Sequence, residues 1–420
     1  MMALLLGRVD EHLEFDTAQQ REYLDVYHHP TGFADGEYRF RDDSRNQWCS
    51  WEAVPGRRIA ALTEFLQQAG FMPHATHDGV FGYVTQAAVR LFQEYVRTTE
   101  QGHYPPDGAS LWPDGMVGPL TESHIARWRR AGLRCRWGEP VGTTADYNRW
   151  MDWLARIVTR YRAAPGHQLR VVSTLSERGD TLLPDDWSFE ADEPQLIGLR
   201  VHDQQPLRAA DRRDPDDLFV LLLDGRTYYF RGSVDANPAS RREAYLIEGQ
   251  HRFRFNWHNI GPGRRQRIYK AARPATKGVI VARDVHGHNA LTDDNLFDGI
   301  DPRPNPTINI HWNGLGLSNW SAGCQVISGS SYCNDLGEWI DCSAYTARND
   351  GERGQRRQPD GPRLTMGAYT VLSDLLLCYT PPDLGGEKPT FRYTLLHSKL
   401  LERVPGLSLA QLPFLQDGML

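Results

Sequence analysis

Residues 218–230 read Leu-Phe-Val-Leu-Leu-Leu-Asp-Gly-Arg-Thr-Tyr-Tyr-Phe, an apolar run and an aromatic run that are joined by Asp224 and Gly225. An Asp-Gly pair supplies the positive φ angles that a two-residue hairpin turn requires, and aromatic residues favour strands. The stretch therefore predicts a β-hairpin and assigns the C-terminal part of the chain to a β-rich fold.

Further runs with the character of strands surround this hairpin. They stand at residues 252–255, 278–282, 307–311 and 324–327, and helical spacing of apolar residues returns at 369–379. We expect residues 166–405 to form one mostly-β domain with a few helices, followed by a C-terminal tail at 406–420.

The N-terminal part of the chain has helical periodicity instead. Apolar residues recur at helical spacing in three stretches, 59–66, 87–95 and 121–128. We therefore predict a small helical domain at 51–135, preceded by an N-terminal extension at 1–50 and followed by a connecting helix at 136–165.

A short pattern is repeated between the predicted helices. D-G-x-x-G-x-x-T occurs at residues 78–85 and again at 114–121. Asp-Gly favours a turn, the second glycine permits a tight backbone, and the threonine favours a helix cap. The repeat by itself indicates a helical domain in which one loop–helix unit is used twice.

This part of the chain resembles the peptidoglycan-binding domain 1 family over residues 54–130. The resemblance rests on Gly70-Phe71 after the first helix, on DGxFGxxTxxAVxxFQ at 78–93 and on DGxVGxxT at 114–121. It implies a three-helix, noncatalytic module that binds the glycan-peptide polymer of the cell wall. A three-helix protein-interaction domain is the alternative interpretation.

The residues best suited to chemistry lie between Pro306 and Ser328. If 307–311 is a strand, its odd-numbered residues share one face, so His311 ends the strand on the polar side with Asn309. Cys324 follows later in the same stretch and is preceded by Gly323. A thiol has an ordinary pKa of about 8.5 and needs a base to become a nucleophile at neutral pH. His311 is the candidate base.

A Cys–His pair of this kind suits acyl transfer. The thiolate attacks a carbonyl, the imidazole moves the protons, and backbone N–H groups freed by Gly323 hold the oxyanion. The alternative is that Cys324 is one of the many buried cysteines that do no chemistry.

The same segment resembles the active-site signature of the L,D-transpeptidase (YkuD-like) family. Ile310-His311 and Ser321-Ala322-Gly323-Cys324 match its two parts, and a divergent branch of the family also has the Asn309, Gly314, Gln325 and Ile327 found here. The chain departs from the main family at Ala322, where a histidine is usual, and at Val326 and Ile327, where arginine or asparagine stands nearby.

The resemblance implies a substrate and a set of site residues. Cys324 would attack the L-centre carbonyl of diaminopimelate in a stem peptide and expel the terminal D-alanine; the acceptor (a stem, a free D-amino acid or water) stays open. The implied catalytic residues are Cys324, His311, Gly323 and Ser321. The implied substrate contacts are Gln325, Asn309, Trp312 and Trp320, of which the two tryptophans would form a wall beside the site.

A metal site is a further alternative. Asp284, His286 and His288 stand close in sequence and could bind zinc with His251 or His258, as in an amidase or endopeptidase. A polar loop is the simpler interpretation, because H-E-x-x-H is absent. We predict no metal and no cofactor.

The composition narrows the class of partner. The formal charge of −6 disfavours general binding to nucleic acid, and no apolar run reaches the roughly 18 residues of a membrane span. Residues 1–8 lack the basic start of a Sec signal peptide, so we expect synthesis in the cytoplasm and action in the periplasm or wall of a target cell.

These expectations define a leading hypothesis and two rivals. The first is an exported antibacterial effector of a type VI-like secretion system, with an immunity protein and secretion components as partners. Its rivals are a noncatalytic wall-binding or phage structural protein and the zinc enzyme above. The sequence is compatible with Cys333 and Cys342 either as free thiols or as a disulfide bond.

Overall fold

The structure is a computed structural model. It describes residues 3–11, 39–42, 47–74, 79–100, 111–138, 142–200, 217–237, 243–260, 267–287, 298–313, 319, 321–343, 345, 366–381 and 390–398. Contacts divide the chain into two compact units. The first comprises Met1–Val141, Phe255–Ala271 and Cys342–Pro389, and the second comprises Gly142–Arg254, Ala272–Asp341 and Thr390–Leu420. The tail predicted at 406–420 lies outside the described residues.

Six α-helices and sixteen strands lie in the described part of the chain. The helices are α1 (Arg58–Gln68), α2 (Tyr83–Thr99), α3 (Pro119–Ala131), α4 (Ala145–Ala163), α5 (His167–Thr174) and α6 (Gly367–Tyr379). The strands are β1 (Arg8–Asp10), β2 (Arg39–Asp42), β3 (Gln47–Ser50), β4 (Glu52–Val54), β5 (Gln195–Arg200), β6 (Asp217–Leu223), β7 (Arg226–Ser233), β8 (Ala244–Leu246), β9 (Gly249–Ile260), β10 (Arg267–Pro274), β11 (Val281–Arg283), β12 (Ile310–Trp312), β13 (Gln325–Ile327), β14 (Ser331–Cys333), β15 (Trp339–Asp341) and β16 (Phe391–His397).

The hairpin predicted from residues 218–230 is confirmed. Strands β6 and β7 pair antiparallel, with Leu223 opposite Arg226. Between them Asp224 has φ 44° and Gly225 has φ 76°, the two positive values that this turn needs. Every residue of β6 is buried, which explains why residues 218–223 are continuously apolar and do not alternate.

Eight strands close into a barrel in which β6 and β7 are neighbours. The order is β13-β12-β10-β9-β16-β5-β6-β7, and β13 pairs with β7 to close the ring. The closing contacts are Val326 opposite Ser233 and Ile327 opposite Gly232. Strands β14 and β15 continue the sheet from β7. Closure removes the exposed edges that an open sheet would present.

The barrel is packed on both of its faces. Outside, Trp150, Leu154 and Ile157 of α4 pack with Val220 and other residues of β5 to β7. Inside, rings from different strands fill the space, and those of Phe219 and Tyr393 stack with centroids 6.3 Å apart. This filling leaves no room at Gly198, where a Cβ atom would lie 2.0 Å from the Tyr393 hydroxyl oxygen.

The first unit contains helices at the three stretches where the sequence predicts them, α1, α2 and α3. They do not form a separate three-helix domain, because α2 packs against α6 near the other end of the chain. Buried Arg90 of α2 makes two hydrogen bonds to the Asp374 carboxylate, at 2.6 and 2.7 Å. Strand β1 also joins this unit, since Asp10 accepts hydrogen bonds from the N–H groups of Ile59 and Ala60.

The predicted fold class, a three-helix domain followed by a mostly-β domain, was therefore wrong. The chain is a mixed structure of six helices and a closed eight-stranded barrel with extra strands. Periodicity located the helices, but it could not show that the buried face of α2 is completed by residues far away in sequence.

The repeated pattern acts partly as predicted. Gly79 and Gly115 both have φ 75°, as a turn at each position requires; Asp78 lies outside the described residues. The capping prediction was wrong, because Gly82 and Gly118 are the N-cap residues. Gln93 is the last residue of the longer pattern at 78–93. Its side chain accepts the Gly115 N–H (2.9 Å) and donates to the Met116 carbonyl (2.9 Å), which connects it to the second loop.

Candidate active site

His311 and Cys324 are brought together by two adjacent parallel strands, β12 and β13. Ile310 lies opposite Gln325, and the Gln325 N–H donates to the Asn309 carbonyl at 2.8 Å. This register places Cys324 opposite Asn309, and strand alternation puts His311 on the same face. From this position the imidazole of His311 acts on the Cys324 thiol and lowers the pKa of the thiol. The pairing of these two residues is thus a product of local strand geometry.

The environment of Cys324 favours the thiolate. Burial acts to raise the pKa of the thiol, but the interaction with His311 lowers it below its ordinary value. The backbone of Asn309 and the hydroxyl of Ser321 lower the pKa further. The thiol is partly exposed and also lies 3.3 Å from the Thr307 carbonyl oxygen. It therefore has both an activating partner and contact with solvent.

The imidazole is held by its own strand. Nδ1 of His311 lies 2.7 Å from the carbonyl oxygen of Trp312. A proton on Nδ1 donates to this carbonyl, so Nε2 is the nitrogen left to exchange a proton with the thiol. Trp312 thereby orients the imidazole through its backbone, and its half-buried side chain alternates with His311 and lies on the other face of β12.

Gly323 permits a close approach of two segments. A Cβ atom there would lie 3.0 Å from the Ala244 carbonyl oxygen and 3.2 Å from Ile308 Cδ1. The N–H of Gly323 donates to Ser321 Oγ at 3.4 Å. Ser321 thus contacts both Gly323 and Cys324, so the four residues predicted to be catalytic lie close together.

Asn319 is a residue of this site that the sequence analysis missed. It is fully buried, and its Oδ1 accepts the N–H of Ser321 at 2.7 Å. Its Nδ2 donates to the carbonyl of Asp235 at 2.6 Å, and the Asp235 carboxylate accepts from buried Arg200 at 2.7 Å. A chain of hydrogen bonds therefore runs from the barrel strands to the loop before Cys324.

The signal for Asn319 was present in the sequence but was weak. An asparagine between strands is typical of a turn in which its side chain accepts the backbone N–H two residues later. Asp235 and Arg200 gave no such signal, because their contact joins residues that are remote in sequence.

The predicted substrate contacts divide between two faces of the barrel wall. Gln325 alternates with Cys324 and is fully buried beside Tyr393, so it does not face the thiol. Asn309 is nearly buried, and it contributes to the site through its backbone. Trp320 and Gly314 lie outside the described residues.

The residues considered for a metal are dispersed. His251 is fully buried between Thr181 Oγ1 and the Ile247 carbonyl, each 3.1 Å away, and burial lowers its pKa to about 4. Asp284 is buried, and His286 lies 3.4 Å from Asp298. His288 and the side chain of His258 are not among the described positions. Within the described residues no three His, Cys, Asp or Glu side chains form a group that could hold a metal ion.

No family model, curated protein or solved structure matches this chain.

Among the described helices, none is both long and apolar enough to cross a membrane. Cys333 and Cys342 are free thiols.

Proposed function

We propose that the chain is a cysteine acyltransferase that acts on the stem peptides of peptidoglycan. The observation that carries the proposal is the placement of His311 and Cys324 on one face of two adjacent strands, where the imidazole lowers the pKa of the thiol. A thiol with an imidazole partner and a lowered pKa has the chemistry of an acyl-accepting nucleophile. The resemblance of residues 309–327 to the L,D-transpeptidase signature supplies the substrate class.

In the first half-reaction, His311 accepts the thiol proton and the Cys324 sulfur attacks the L-centre carbonyl of diaminopimelate. The amide C–N bond to the terminal D-alanine breaks, and the imidazolium returns the proton to the departing amine. The product is a thioester on Cys324.

In the second half-reaction an amine or water attacks the thioester carbonyl. His311 takes the proton of the attacking group, the C–S bond breaks, and the thiol regains a proton. A second stem peptide gives transpeptidation, a free D-amino acid gives exchange, and water gives carboxypeptidase activity. The chemistry at Cys324 is the same in all three.

We propose that the first unit holds the enzyme on its polymer. The support is the resemblance of residues 54–130 to a wall-binding family. Attachment raises the effective concentration of a catalyst on an insoluble substrate. The same substrate lies outside the cytoplasmic membrane, so the proposed setting is the periplasm or wall of a target cell, with an immunity protein in the producer.

The decisive experiment measures D-alanine release from purified tetrapeptide muropeptides by mass spectrometry. Wild type should release D-alanine, and Cys324→Ala should lose at least about 10³-fold in rate because the acyl acceptor is gone. Cys333→Ala is the matched control, since it removes a buried thiol of the same unit away from the site. Equal rates in wild type and Cys324→Ala would reject the mechanism, and loss of activity with a chelator alone would favour a zinc enzyme.

A cellular experiment tests the proposed setting. Wild type sent to the periplasm of a Gram-negative host by an added leader should stop growth, whereas Cys324→Ala sent by the same leader should not. Equal toxicity of the two forms would favour a noncatalytic action on the wall.

A further inference from the structure

Two arginines lie opposite each other on neighbouring strands of the barrel. The N–H of Ala275 donates to the Arg252 carbonyl at 3.1 Å, and this antiparallel register of β9 and β10 places Arg273 opposite Arg254. Both side chains are half-buried. We call Arg254 and Arg273 the arginine pair.

The arginine pair lies in line with the nucleophile. Ala272 of β10 is opposite Ile310 of β12, so Arg273 is opposite Asn309, which in turn lies opposite Cys324. Alternation places these side chains on one face, and neighbouring strands are about 4.8 Å apart. Arg273 therefore lies about 10 Å from Cys324, two strand spacings along the wall.

A second contact connects Arg273 to the site. Its Nη2 donates to the carbonyl of Pro306 at 3.4 Å, and the carbonyl of the next residue, Thr307, is the one that lies 3.3 Å from the Cys324 sulfur. The guanidinium thus lies beside the same short segment that contacts the nucleophile.

Asp180, the acidic group that acts on Arg254, is already engaged by other donors. Asp180 accepts from Thr276 N–H and Oγ1 (2.8 Å each) and from Gly278 N–H (3.1 Å), and it lies 3.7 Å from Arg252. A carboxylate has about four acceptor sites, so these donors occupy it. Nε of Arg254 is buried and has no hydrogen-bond partner in the part of the chain that the structure describes.

Two guanidinium groups in such proximity repel each other. Burial lowers the pKa of Arg254, Asp180 acts to raise it, and the charge of Arg273 lowers it by a smaller amount. An anion bound between the two groups would relieve this repulsion, and a planar carboxylate fits the fork of N–H donors that an arginine presents.

We infer that the arginine pair is a subsite for a carboxylate of the peptide whose carbonyl Cys324 attacks. The inference rests on the proposed function for the identity of the peptide. Two carboxylates of a tetrapeptide stem are candidates: that of the terminal D-alanine and that at the far end of the diaminopimelate side chain. Both would bind the arginine pair as carboxylates, and the experiment below distinguishes between them.

The test is a binding measurement in the Cys324→Ala background, where no turnover occurs. Three tetrapeptides are compared by calorimetry: one with both carboxylates, one amidated at D-alanine and one amidated at the diaminopimelate side chain. Arg273→Ala and Arg254→Ala should each weaken binding of the unmodified peptide about tenfold, as expected for a lost charged hydrogen bond. The peptide in which the bound carboxylate is amidated should bind weakly to the parent, which is the Cys324→Ala protein. Neither arginine substitution should change its dissociation constant, and this peptide therefore shows which carboxylate is bound.

Arg283→Ala is the matched control, because Arg283 is a partly buried arginine of the same unit that pairs with Asp301. It should leave all three dissociation constants unchanged. The inference is overturned if the arginine variants bind all three peptides as the parent does, or if the parent binds none of them. Absence of D-alanine release by wild type, with arginine-dependent binding intact, would reject the proposed reaction and keep the subsite.

Discussion

Cys324 directly precedes β13 and Cys333 ends β14 of the same sheet, and their thiols have opposite character. Burial acts to raise the pKa of both. At Cys324 the imidazole of His311 reverses the effect, whereas at Cys333 the carboxylates of Asp146, Asp335 and Glu338 add to it and the pKa rises to about 12. The charge of the neighbour, and not the degree of burial, decides which thiol is available for chemistry.

The largest effect is expected from removing that neighbour. His311→Gln should reduce the rate of D-alanine release by about 10²–10⁴-fold, the usual range for loss of a general base. Because the imidazole lowers the pKa of Cys324, alkylation of this thiol should also require a higher pH in the variant.

The matched control for this substitution is His286→Gln, since His286 is half-exposed and pairs with Asp298 in the same unit. It should turn over substrate and alkylate at Cys324 as wild type does. Full activity in His311→Gln would show that the imidazole is not the base.

The second prediction compares the two thiols directly in the native protein. At pH 7, iodoacetamide should modify Cys324 at least about 100-fold faster than Cys333, because only the first is partly exposed and has a lowered pKa. Peptide mass spectrometry after timed pulses measures both rates in one sample. Similar rates would contradict the electrostatic contrast.

The third prediction concerns the support of Cys324. Asn319→Ala removes the acceptor of the Ser321 N–H, and Ser321 in turn contributes to the low pKa of Cys324. We expect kcat to fall about tenfold, as expected for one lost buried hydrogen bond, and the pH midpoint of Cys324 alkylation to rise.

Asn334→Ala is the control for this substitution. Asn334 makes similar bonds to backbone N–H groups, at Leu336 and Glu338, but it lies away from the thiol. Its loss should affect stability without moving the alkylation midpoint. A midpoint that moves equally in both variants would mean that Asn319 has only a structural role.

Two features of the molecule could be predicted from the sequence because they depend on residues close together in the chain. The hairpin at 218–230 and the pairing of His311 with Cys324 follow from short-range rules, turn chemistry and strand alternation, and both are present. The common face of Asn309 and His311 could be assigned because alternation needs no knowledge of the partner strand, but the strand spans only Ile310–Trp312 and Thr307 lies in a turn.

The rest depends on partners that are remote in sequence. Closure of the barrel between β7 and β13, the contact of Arg90 with Asp374 and the alignment of Arg273 with Cys324 each join segments that no local pattern connects. The burial of Gln325 was missed for the same reason. Its neighbour Tyr393 comes from β16, so the interior of the barrel could not be recognised before its strand order was known.

The smallest expected effect concerns stability at alkaline pH. There the two thiols should change the pH dependence of the free energy of unfolding in opposite directions. The raised pKa of Cys333 means that the native thiol holds its proton up to about pH 12, while an unfolded chain releases it near pH 9. The stability that Cys333 contributes is therefore complete below about pH 9 and is lost as the pH rises toward 12. Between pH 8 and pH 10 this loss amounts to about 1 kcal/mol. Cys333→Ala should reduce the fall in the free energy of unfolding over this interval by that amount, measured by urea denaturation at both pH values.

The lowered pKa of Cys324 gives a contribution of opposite sign, so Cys324→Ala should instead steepen the fall. Identical pH dependence in wild type and both variants would mean that neither thiol differs between the folded and unfolded states.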